Sequence, residues 1–299
     1  MNFSLSRKYS KPLPLRSAGI ALVSVLWLVL LLSGLAATVA YIARIEALLA
    51  RRAFDLAHAQ AAADAAVVDT ISRLSKEDAS RRPPIGAPRT WEFDGIPIVV
   101  TVSREAGRIN LNAGSDELLL AFLQAQGADE QAASTLVKEL RNWQQAGSES
   151  LGRSMGAHYP SDLSTSTPAR SLLTIKELKD VPGWHEQNLD CWMDSLTVYS
   201  GQGDVAASEA TPGALATLRW MQTHHPDRSQ AAASAAPRPT NSGSLVGEAV
   251  RIHAVVTVSE VSATSEWIGR LTGSNARPAL TMLWDHSLKD ESATCSTGR

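Results

Sequence analysis

An uncharged and almost wholly apolar run from Ala18 to Ala43 is the feature that most constrains this chain; from Ile20 it reads IALVSVLWLVLLLSGLAATVAYIA. At ~1.5 Å per residue, a helix of this length crosses a hydrocarbon core of ~30 Å. A signal peptide has a shorter apolar core. The sequence therefore predicts a transmembrane helix near the N-terminus.

Charges beside the run predict its orientation. The leader contains only basic charged residues, and the first carboxylate of the chain is Glu46. Under the positive-inside rule, the N-terminus lies in the cytoplasm and the body of the protein lies across the membrane. The basic leader residues are Arg7, Lys8, Lys11 and Arg16.

A helical pattern continues beyond the apolar run. Apolar side chains recur at steps of three and four, as on one face of a helix, and charged residues occupy the other face. The sequence thus predicts one helix, half in lipid and half in water, over residues 20–74. Its apolar positions after the span are Ile45, Leu48, Leu49, Leu56, Ala59, Ala63, Val67, Ile71 and Leu74.

Composition predicts a soluble body behind a single membrane anchor. Charged residues make up 19% of the chain, its net charge is −2, and no second run is apolar and long enough to span. This weak net charge gives no electrostatic reason to expect a nucleic-acid partner.

With only Cys191 and Cys295 present, a buried thiol and a free tail thiol are favoured over a disulfide.

Strand patterns enclose a helical block. Asp94-Gly95 predicts a tight hairpin turn between strands at 91–93 and 96–102. Ser115 is a good N-cap for a following helix, and further helices are predicted at 129–144, 175–178 and 186–196. A strand at 196–200 is expected to re-enter the sheet, a disordered linker is expected at 222–244, and final strands are predicted at 249–258, 266–272 and 280–284.

No catalytic constellation is recognisable. His224 and His225 border the polar linker, and His58 lies on the polar face of the first helix. No His, Cys or Asp cluster has zinc-site spacing, and no serine lies in a nucleophile-elbow motif. We therefore expect a non-enzymatic protein without a cofactor.

Three passages carry a family resemblance: RSAGIALVSVLW, GRINLNAGSDELL, and TIKELKDVPGW followed by LTVYSGQGDV. In this order, from Arg16 to about Trp284, the chain resembles the general secretion pathway protein K family, minor pseudopilins of type II secretion within the type IV pilin superfamily. The resemblance implies an α+β fold: a long N-terminal transmembrane and amphipathic helix packed on a small antiparallel sheet, with a helical (SAM-like) insert domain.

The resemblance implies these domains: a prepilin-type leader (1–19), the pilin helix (20–74), a linker and first strands (75–107), the helical insert (108–200), a truncated second insert with a disordered linker (201–244), the last strands of the pilin-like domain (245–286) and a disordered tail (287–299). It also implies cleavage by prepilin peptidase between Gly19 and Ile20, followed by N-methylation of Ile20. An uncleaved signal anchor is the alternative at this junction. The fifth mature position is Ser24, where most pilins carry a glutamate, and this departure favours a position at the filament tip.

The insert also resembles the helix-hairpin-helix modules of DNA-uptake receptors. Such modules grip a phosphate with a Gly-x-Gly hairpin, whereas this chain has Gln126-Gly127-Ala128-Asp129. We therefore expect no nucleic-acid binding.

Family members place an acidic calcium loop after the tryptophan equivalent to Trp143, but Glu149 and Asp162 are the only carboxylates near it here. They remain weak calcium candidates, and a solvated polar loop is favoured.

By resemblance, the chain starts or caps the short periplasmic pseudopilus that drives folded proteins across the outer membrane. Implied partners are the minor pseudopilins of the I, J and H types, the major pseudopilin, prepilin peptidase and membrane lipid. The implied location is the inner membrane, with a single pass and a periplasmic C-terminal domain. Two alternatives remain: a minor pilin of a type IV pilus, which neighbouring genes would distinguish, and an uncleaved membrane-anchored periplasmic binding module.

Overall fold

The computed structural model describes residues 18–75, 82–154, 170–184, 189–225, 245–258, 261–274 and 276–286, with backbone only at 18–19, 147–154 and 190. The chain divides into two compact units, Met1–Asp55 and Leu56–Arg299. The elements are α1 (Ala18–Ser75), β1 (Pro88–Phe93), β2 (Ile96–Arg104), β3 (Ile109–Asn110), α2 (Asp116–Ala125), α3 (Glu130–Ser154), α4 (Leu189–Trp192), β4 (Leu196–Thr197), α5 (Pro212–His224), β5 (Ala249–Val258), β6 (Val261–Leu271) and β7 (Ala279–Asp285).

In the first unit, α1 exposes its apolar side chains along the span predicted from sequence; Trp27, for example, is 68% exposed. Within the described ranges, the stretch of α1 from Ile20 is the one helix with the length and composition to cross a bilayer. The Ser24 hydroxyl donates a hydrogen bond of 2.9 Å to the Ile20 carbonyl one turn earlier. Its polar group is therefore satisfied within its own helix.

In the second unit, five antiparallel strands form one sheet in the order β1-β2-β5-β6-β7. The predicted turn at Asp94-Gly95 joins β1 to β2, and both residues have positive φ, 51° and 75°. That conformation matches the twist of a two-residue hairpin and explains the Asp-Gly sequence. The hairpin of β5 and β6 and the edge strand β7 are confirmed as well.

The C-terminal part of α1 packs on one face of the sheet through a seam of small side chains. Ala59, Ala62, Ala63 and Ala66 are each at most 1% exposed. They lie in one core with the buried strand residues, including Ile98, Ile252 and Trp267. These alanines therefore form the buried face of α1 in the core that it shares with the sheet.

Polar contacts accompany the alanine seam: Gln60 of α1 donates a bond of 3.3 Å to the Thr264 carbonyl of β6, and Asp64 makes two more. The Asp64 carboxylate on α1 accepts hydrogen bonds from the Ser265 hydroxyl of β6 (2.7 Å) and from His286 Nε2 beyond β7 (3.0 Å). The Ser265 oxygen in turn accepts a bond of 2.9 Å from Trp284 Nε1 of β7. Asp64 thus fastens α1 to the two last strands of the sheet.

The helical insert has its own core. Helices α2, α3, α4 and α5 and a 3-10 turn at Ile175–Asp180 share this core with the short parallel pair of β3 and β4. Its fully buried side chains include Leu119, Phe122, Leu123, Leu140, Leu178, Trp184 and Leu196. Ser115 caps α2 as predicted, because its hydroxyl accepts a bond of 3.2 Å from the Leu118 amide.

Several sequence-based boundaries are wrong. Helix α3 continues to Ser154 instead of ending near Gln144, since no proline interrupts it before Pro160. Helix α4 ends at Trp192, before the predicted 196. Strand β4 pairs with β3 and does not re-enter the main sheet. Helix α5 continues to His224, so the disordered linker predicted from residue 222 was placed too early. The rest of that linker, at 226–244, and the tail from 287 lie outside the described residues.

The described part of the predicted truncated second insert, residues 201–225, packs into the helical insert itself. Helix α5 contributes the fully buried Ala214 to the insert core, with Leu218 and Met221 packed against it. It begins at Pro212, a residue well suited to the first turn of a helix. Helix α5 and the helical block before it, residues 108–200, therefore share one hydrophobic core.

We predict that Ala63→Leu destabilises the second unit by about 1–3 kcal/mol, because the added atoms overpack the seam between α1 and the sheet. Urea unfolding of the full chain in detergent measures this change. Ala61 is the matched control, since it lies on the exposed side of the same helix, and Ala61→Leu should change the free energy of unfolding by less than about 0.5 kcal/mol. Equal effects of both substitutions would contradict the described packing.

Candidate functional site

The polar residues of the GRINLNAGSDELL passage are engaged within the insert. The Asn110 side-chain oxygen accepts bonds from the amides of Asn112 (2.8 Å) and Ala113 (2.9 Å). Its Nδ2 donates to the Ser200 hydroxyl at 2.8 Å. Asn110 thereby shapes the loop between β3 and α2 and ties it to the segment after β4.

Asn112 extends this network to the segment that leads into the 3-10 turn. Its side chain exchanges two hydrogen bonds with the backbone of Leu172, at 2.8 and 2.9 Å. Arg141 of α3 donates to the Gly114 carbonyl at 2.6 Å and to the Asp116 carboxylate at 2.7 Å. These polar residues therefore hold the insert together, which explains the motif in structural terms.

The hairpin after α2 has an acidic residue at the helix terminus where a phosphate-binding module needs free amides. Gly127 lies two residues after the end of α2 and adopts a φ of +97°. The Asp129 carboxylate then accepts a bond of 2.7 Å from the Ala132 amide and caps α3. The other Gly-containing turn of the insert, Pro182-Gly183-Trp184, is closed by a tryptophan: Trp184 is fully buried and donates to the Leu136 carbonyl at 2.9 Å.

The described residues do not test the weak calcium candidates. Glu149 lies on the backbone of α3, with its side chain outside the description, and Asp162 lies outside the described residues altogether. Among the residues that the structure does describe, no three His, Cys, Asp or Glu side chains are grouped so that they could hold a metal ion. His224 instead stacks on the Trp220 ring, with 4.3 Å between ring centroids.

The most unusual polar group is a fully buried carboxylate at the junction of sheet and insert. Glu105, in the 3-10 turn after β2, binds Arg251 of β5 with 2.7 Å between Oε1 and Nε. Its other oxygen accepts a hydrogen bond from the Thr197 hydroxyl of β4. Arg108 lies 3.5 Å from Oε1 and is also buried. Arg251 further binds Glu266 of β6 at 2.7 Å.

This cluster, here called the Glu105 junction, joins two structural parts. Arg251 and Glu266 belong to the five-stranded sheet, whereas Thr197 belongs to the insert. Two less buried ion pairs lie beside it: Arg104 with Glu209 (2.5 Å) and Lys176 with Asp285 (2.7 Å). Gly107 also permits close contact, since a Cβ there would lie 2.0 Å from the Glu209 carbonyl oxygen.

Electrostatics support ionised groups throughout the junction. Burial acts to raise the pKa of Glu105, but the positive charges of Arg251 and Arg108 and the hydrogen bonds from Arg251 and Thr197 outweigh it, so this pKa lies below its usual value. Burial lowers the pKa of Arg251, yet Glu105 and Glu266 raise it by more. For Arg108, burial and the nearby Arg251 charge lower the pKa. Burial raises the pKa of Tyr199 to about 12.

Sequence reasoning missed the Glu105 junction. Its one signal was an arginine inside the buried strand pattern AVRIHAVVTV, because a charged residue there needs a partner. That partner is 146 positions away along the chain, and no sequence pattern identifies it.

Cys191 corrects a further prediction. It is disulfide-bonded in the structure, so the preference for an unpaired buried thiol at this position is wrong. Cys295 lies outside the described residues.

The fold is similar to a known secretion protein. A chain of the GspK-GspI-GspJ complex of the enterotoxigenic Escherichia coli type 2 secretion system matches with a TM-score of 0.51 and 13% identity, over 80% of this chain and 99% of that one. This chain has a pseudopilin-like fold. No family model and no curated protein sequence matches it. The predicted α+β class, with a long N-terminal helix, an antiparallel sheet and helical segments, is thereby confirmed.

We predict that Glu105→Gln destabilises the second unit by about 3–5 kcal/mol, because it leaves Arg251 and Arg108 buried without their main counter-charge. Urea unfolding of the full chain measures the change. Glu130→Gln on the exposed first turn of α3 is the control and should cost less than about 0.5 kcal/mol. A loss below 1 kcal/mol in Glu105→Gln would contradict a stabilising junction.

The junction also predicts a pH dependence. Because the folded-state pKa of Glu105 is lowered, its stabilisation is fully present above the unfolded-state pKa of about 4.3 and is lost as pH falls through the folded-state pKa. The difference in unfolding free energy between the unmodified chain and Glu105→Gln should therefore be constant above about pH 5. This free-energy difference should become smaller at lower pH, where Glu105 of the unmodified chain is protonated. A difference that widens on acidification would contradict the sign of the shift.

Proposed function

We propose that this protein is a minor pseudopilin of a type II protein secretion system, of the protein K type, which starts or caps the tip of the periplasmic pseudopilus. The observation that carries the proposal is the similarity of fold to a chain from a complex of pseudopilins. The apolar N-terminal helix and the three matching sequence passages support it independently.

The N-terminus is proposed to mature like that of a pilin. Prepilin peptidase would cut between Gly19 and Ile20, and Ile20 would then be N-methylated. A residue without a side chain at the cut allows a protease to approach the backbone closely. The apolar stretch that begins at Ile20 would remain as the membrane segment of the mature protein.

Ser24 supports a position at the tip. A pilin subunit within a filament body uses a carboxylate at this position to pair with the N-terminal ammonium of a neighbour. Here the hydroxyl of Ser24 donates to the Ile20 carbonyl of its own helix and carries no charge. A subunit at the tip has no subunit above it whose N-terminal ammonium needs a counter-charge. The absence of a carboxylate at Ser24 would therefore not weaken the assembly there.

The insert supports the same position. The Glu105 junction and the pair of Lys176 and Asp285 fix it to the sheet. A bulky domain held in this way would block the addition of a further subunit above this one. The proposed role is therefore to begin or end the pseudopilus, not to extend it, and no enzymatic activity is proposed.

Partners and location follow from this role. We propose contact with minor pseudopilins of the I, J and H types and with the major pseudopilin below. Gly34, Ala36 and Ala37 would allow close helix approach in lipid; nothing lies within 4 Å of a Cβ placed at Gly34. The protein would lie in the inner membrane with a cytoplasmic N-terminus and a periplasmic C-terminal domain.

We predict that the chain isolated from membranes begins at Ile20 and carries one added methyl group, and that residues 1–19 are retained in cells without prepilin peptidase. Intact-mass and N-terminal analysis of the protein from both strains measures this. Gly19→Leu should block processing, whereas Gly34→Leu, the matched glycine substitution inside the span, should leave it unchanged. An unprocessed leader in both strains would contradict a pilin-class subunit and favour an uncleaved anchor.

A further inference from the structure

The part of α1 that follows the apolar run carries large apolar side chains that are open to water. Ile45, Leu48, Leu49 and Leu56 recur at steps of three and four, so they share one face of the helix. Each of them is between 40% and 60% exposed. A contiguous apolar surface of this kind, about 16 Å long, indicates an interaction site.

Arg52 occupies the position at which the apolar spacing is interrupted. It lies three residues after Leu49 and four before Leu56, so its side chain belongs to the same face. The set of Ile45, Leu48, Leu49, Arg52 and Leu56 is here called the Arg52 stripe. Arg52 is therefore a positive charge set within an apolar surface.

The described chain does not neutralise Arg52. Asp55, three positions later, is the nearest carboxylate along the helix, and within the described residues no ion pair joins the two. The arginine is exposed, so water solvates its charge. A partner that covers the stripe removes this water, and a buried guanidinium then needs an opposite charge. The covering surface has to supply that charge.

Lipid headgroups are poorly placed to supply it. Arg52 follows Ala43, the last residue of the apolar run, by nine positions, or about 13 Å of helix. The headgroup layer on each side of a bilayer is about 5–8 Å thick. An upright α1 thus places the backbone of Arg52 above the lipid phosphates, in the aqueous space.

A second copy of this chain is also a poor match. Two copies anchored by the same segment run parallel, with equal residues at equal heights. Arg52 would then face Arg52 of the second copy, and two like charges repel. A helix of a different chain fits better, because its ridges match the spacing of the stripe and its charge can be opposite.

We propose that the Arg52 stripe binds a membrane-anchored helix of another protein, which carries an aspartate or glutamate between apolar residues. The apolar side chains of the two helices pack together, and the carboxylate binds the Arg52 guanidinium. The charge pair selects the partner and fixes its height along α1. The inference rests on the proposed function for the location of α1, and it adds the chemistry by which the partner is recognised.

Photocrosslinking of the full chain in membranes of producing cells tests the surface. One variant carries Ile45→p-benzoylphenylalanine, within the stripe, and the matched control carries Ala47→p-benzoylphenylalanine, on the opposite face of the helix. We expect position 45 to crosslink to another protein, and peptide mapping to place the contact in an apolar helix with a carboxylate. A crosslink to a second copy, no crosslink at position 45, or the same partner at equal yield from position 47 would overturn the proposal.

Charge variants test the role of Arg52 in the position-45 crosslinking chain. Arg52→Glu should reduce the yield of the crosslink about tenfold or more, because two carboxylates would then face each other. Arg52→Lys keeps the charge and should retain the crosslink. Arg51→Glu is the matched control, since Arg51 lies about 100° away around the helix and outside the stripe, and it should leave the yield unchanged.

A charge exchange completes the test. Replacing the mapped carboxylate of the crosslinked protein by arginine should restore the crosslink to Arg52→Glu, because the pair is then opposite in charge again. Equal losses in Arg51→Glu and Arg52→Glu, or no recovery on charge exchange, would overturn the proposal.

N-terminal analysis of the same variants separates this inference from the proposed function. A processed N-terminus at Ile20 with a crosslink that does not depend on Arg52 contradicts the inference and leaves the pseudopilin proposal intact. An unprocessed leader with a crosslink that depends on Arg52 contradicts pilin-type maturation and supports the Arg52 stripe.

Discussion

Glu105 carries a buried negative charge at the boundary between the sheet and the insert, and a buried charge costs several kcal/mol unless opposite charges and hydrogen bonds surround it. Arg251 and Arg108 supply the charges and Thr197 a hydrogen bond. These partners come from both sides of the boundary. The carboxylate is satisfied only when sheet and insert adopt this arrangement, and it therefore specifies how they dock.

The same requirement accounts for the contacts of the polar residues around the loop between β3 and α2. Asn110, Asn112 and Arg141 satisfy backbone groups where loops meet helices. None of them faces a described metal cluster or nucleophile. These side chains hold loops and helices in position. That role suits a protein proposed to act by its shape and by its place in an assembly.

Local signals were sufficient for most of the fold. The Asp94-Gly95 turn, the Ser115 cap and the alternating pattern of β5 each depend on neighbours in sequence, and all three are present. Long-range pairing was not predictable in this way. β4 was expected in the main sheet, because a strand pattern indicates conformation but not partner, and the link of Glu105 to Arg251 spans the whole insert.

The alanine seam of α1 has a mechanical consequence. Interlocking large side chains resist sliding of a helix along its axis, whereas methyl groups present a nearly smooth track. Much of the resistance to axial shear must then come from directional bonds. Asp64 provides two of them, to Ser265 and His286, and Gln60 donates a third to the Thr264 carbonyl. A pull along this part of α1 would thus reach the sheet through two neighbouring side chains, Asp64 and Gln60, so that a few directional bonds within one turn of helix bear the axial load.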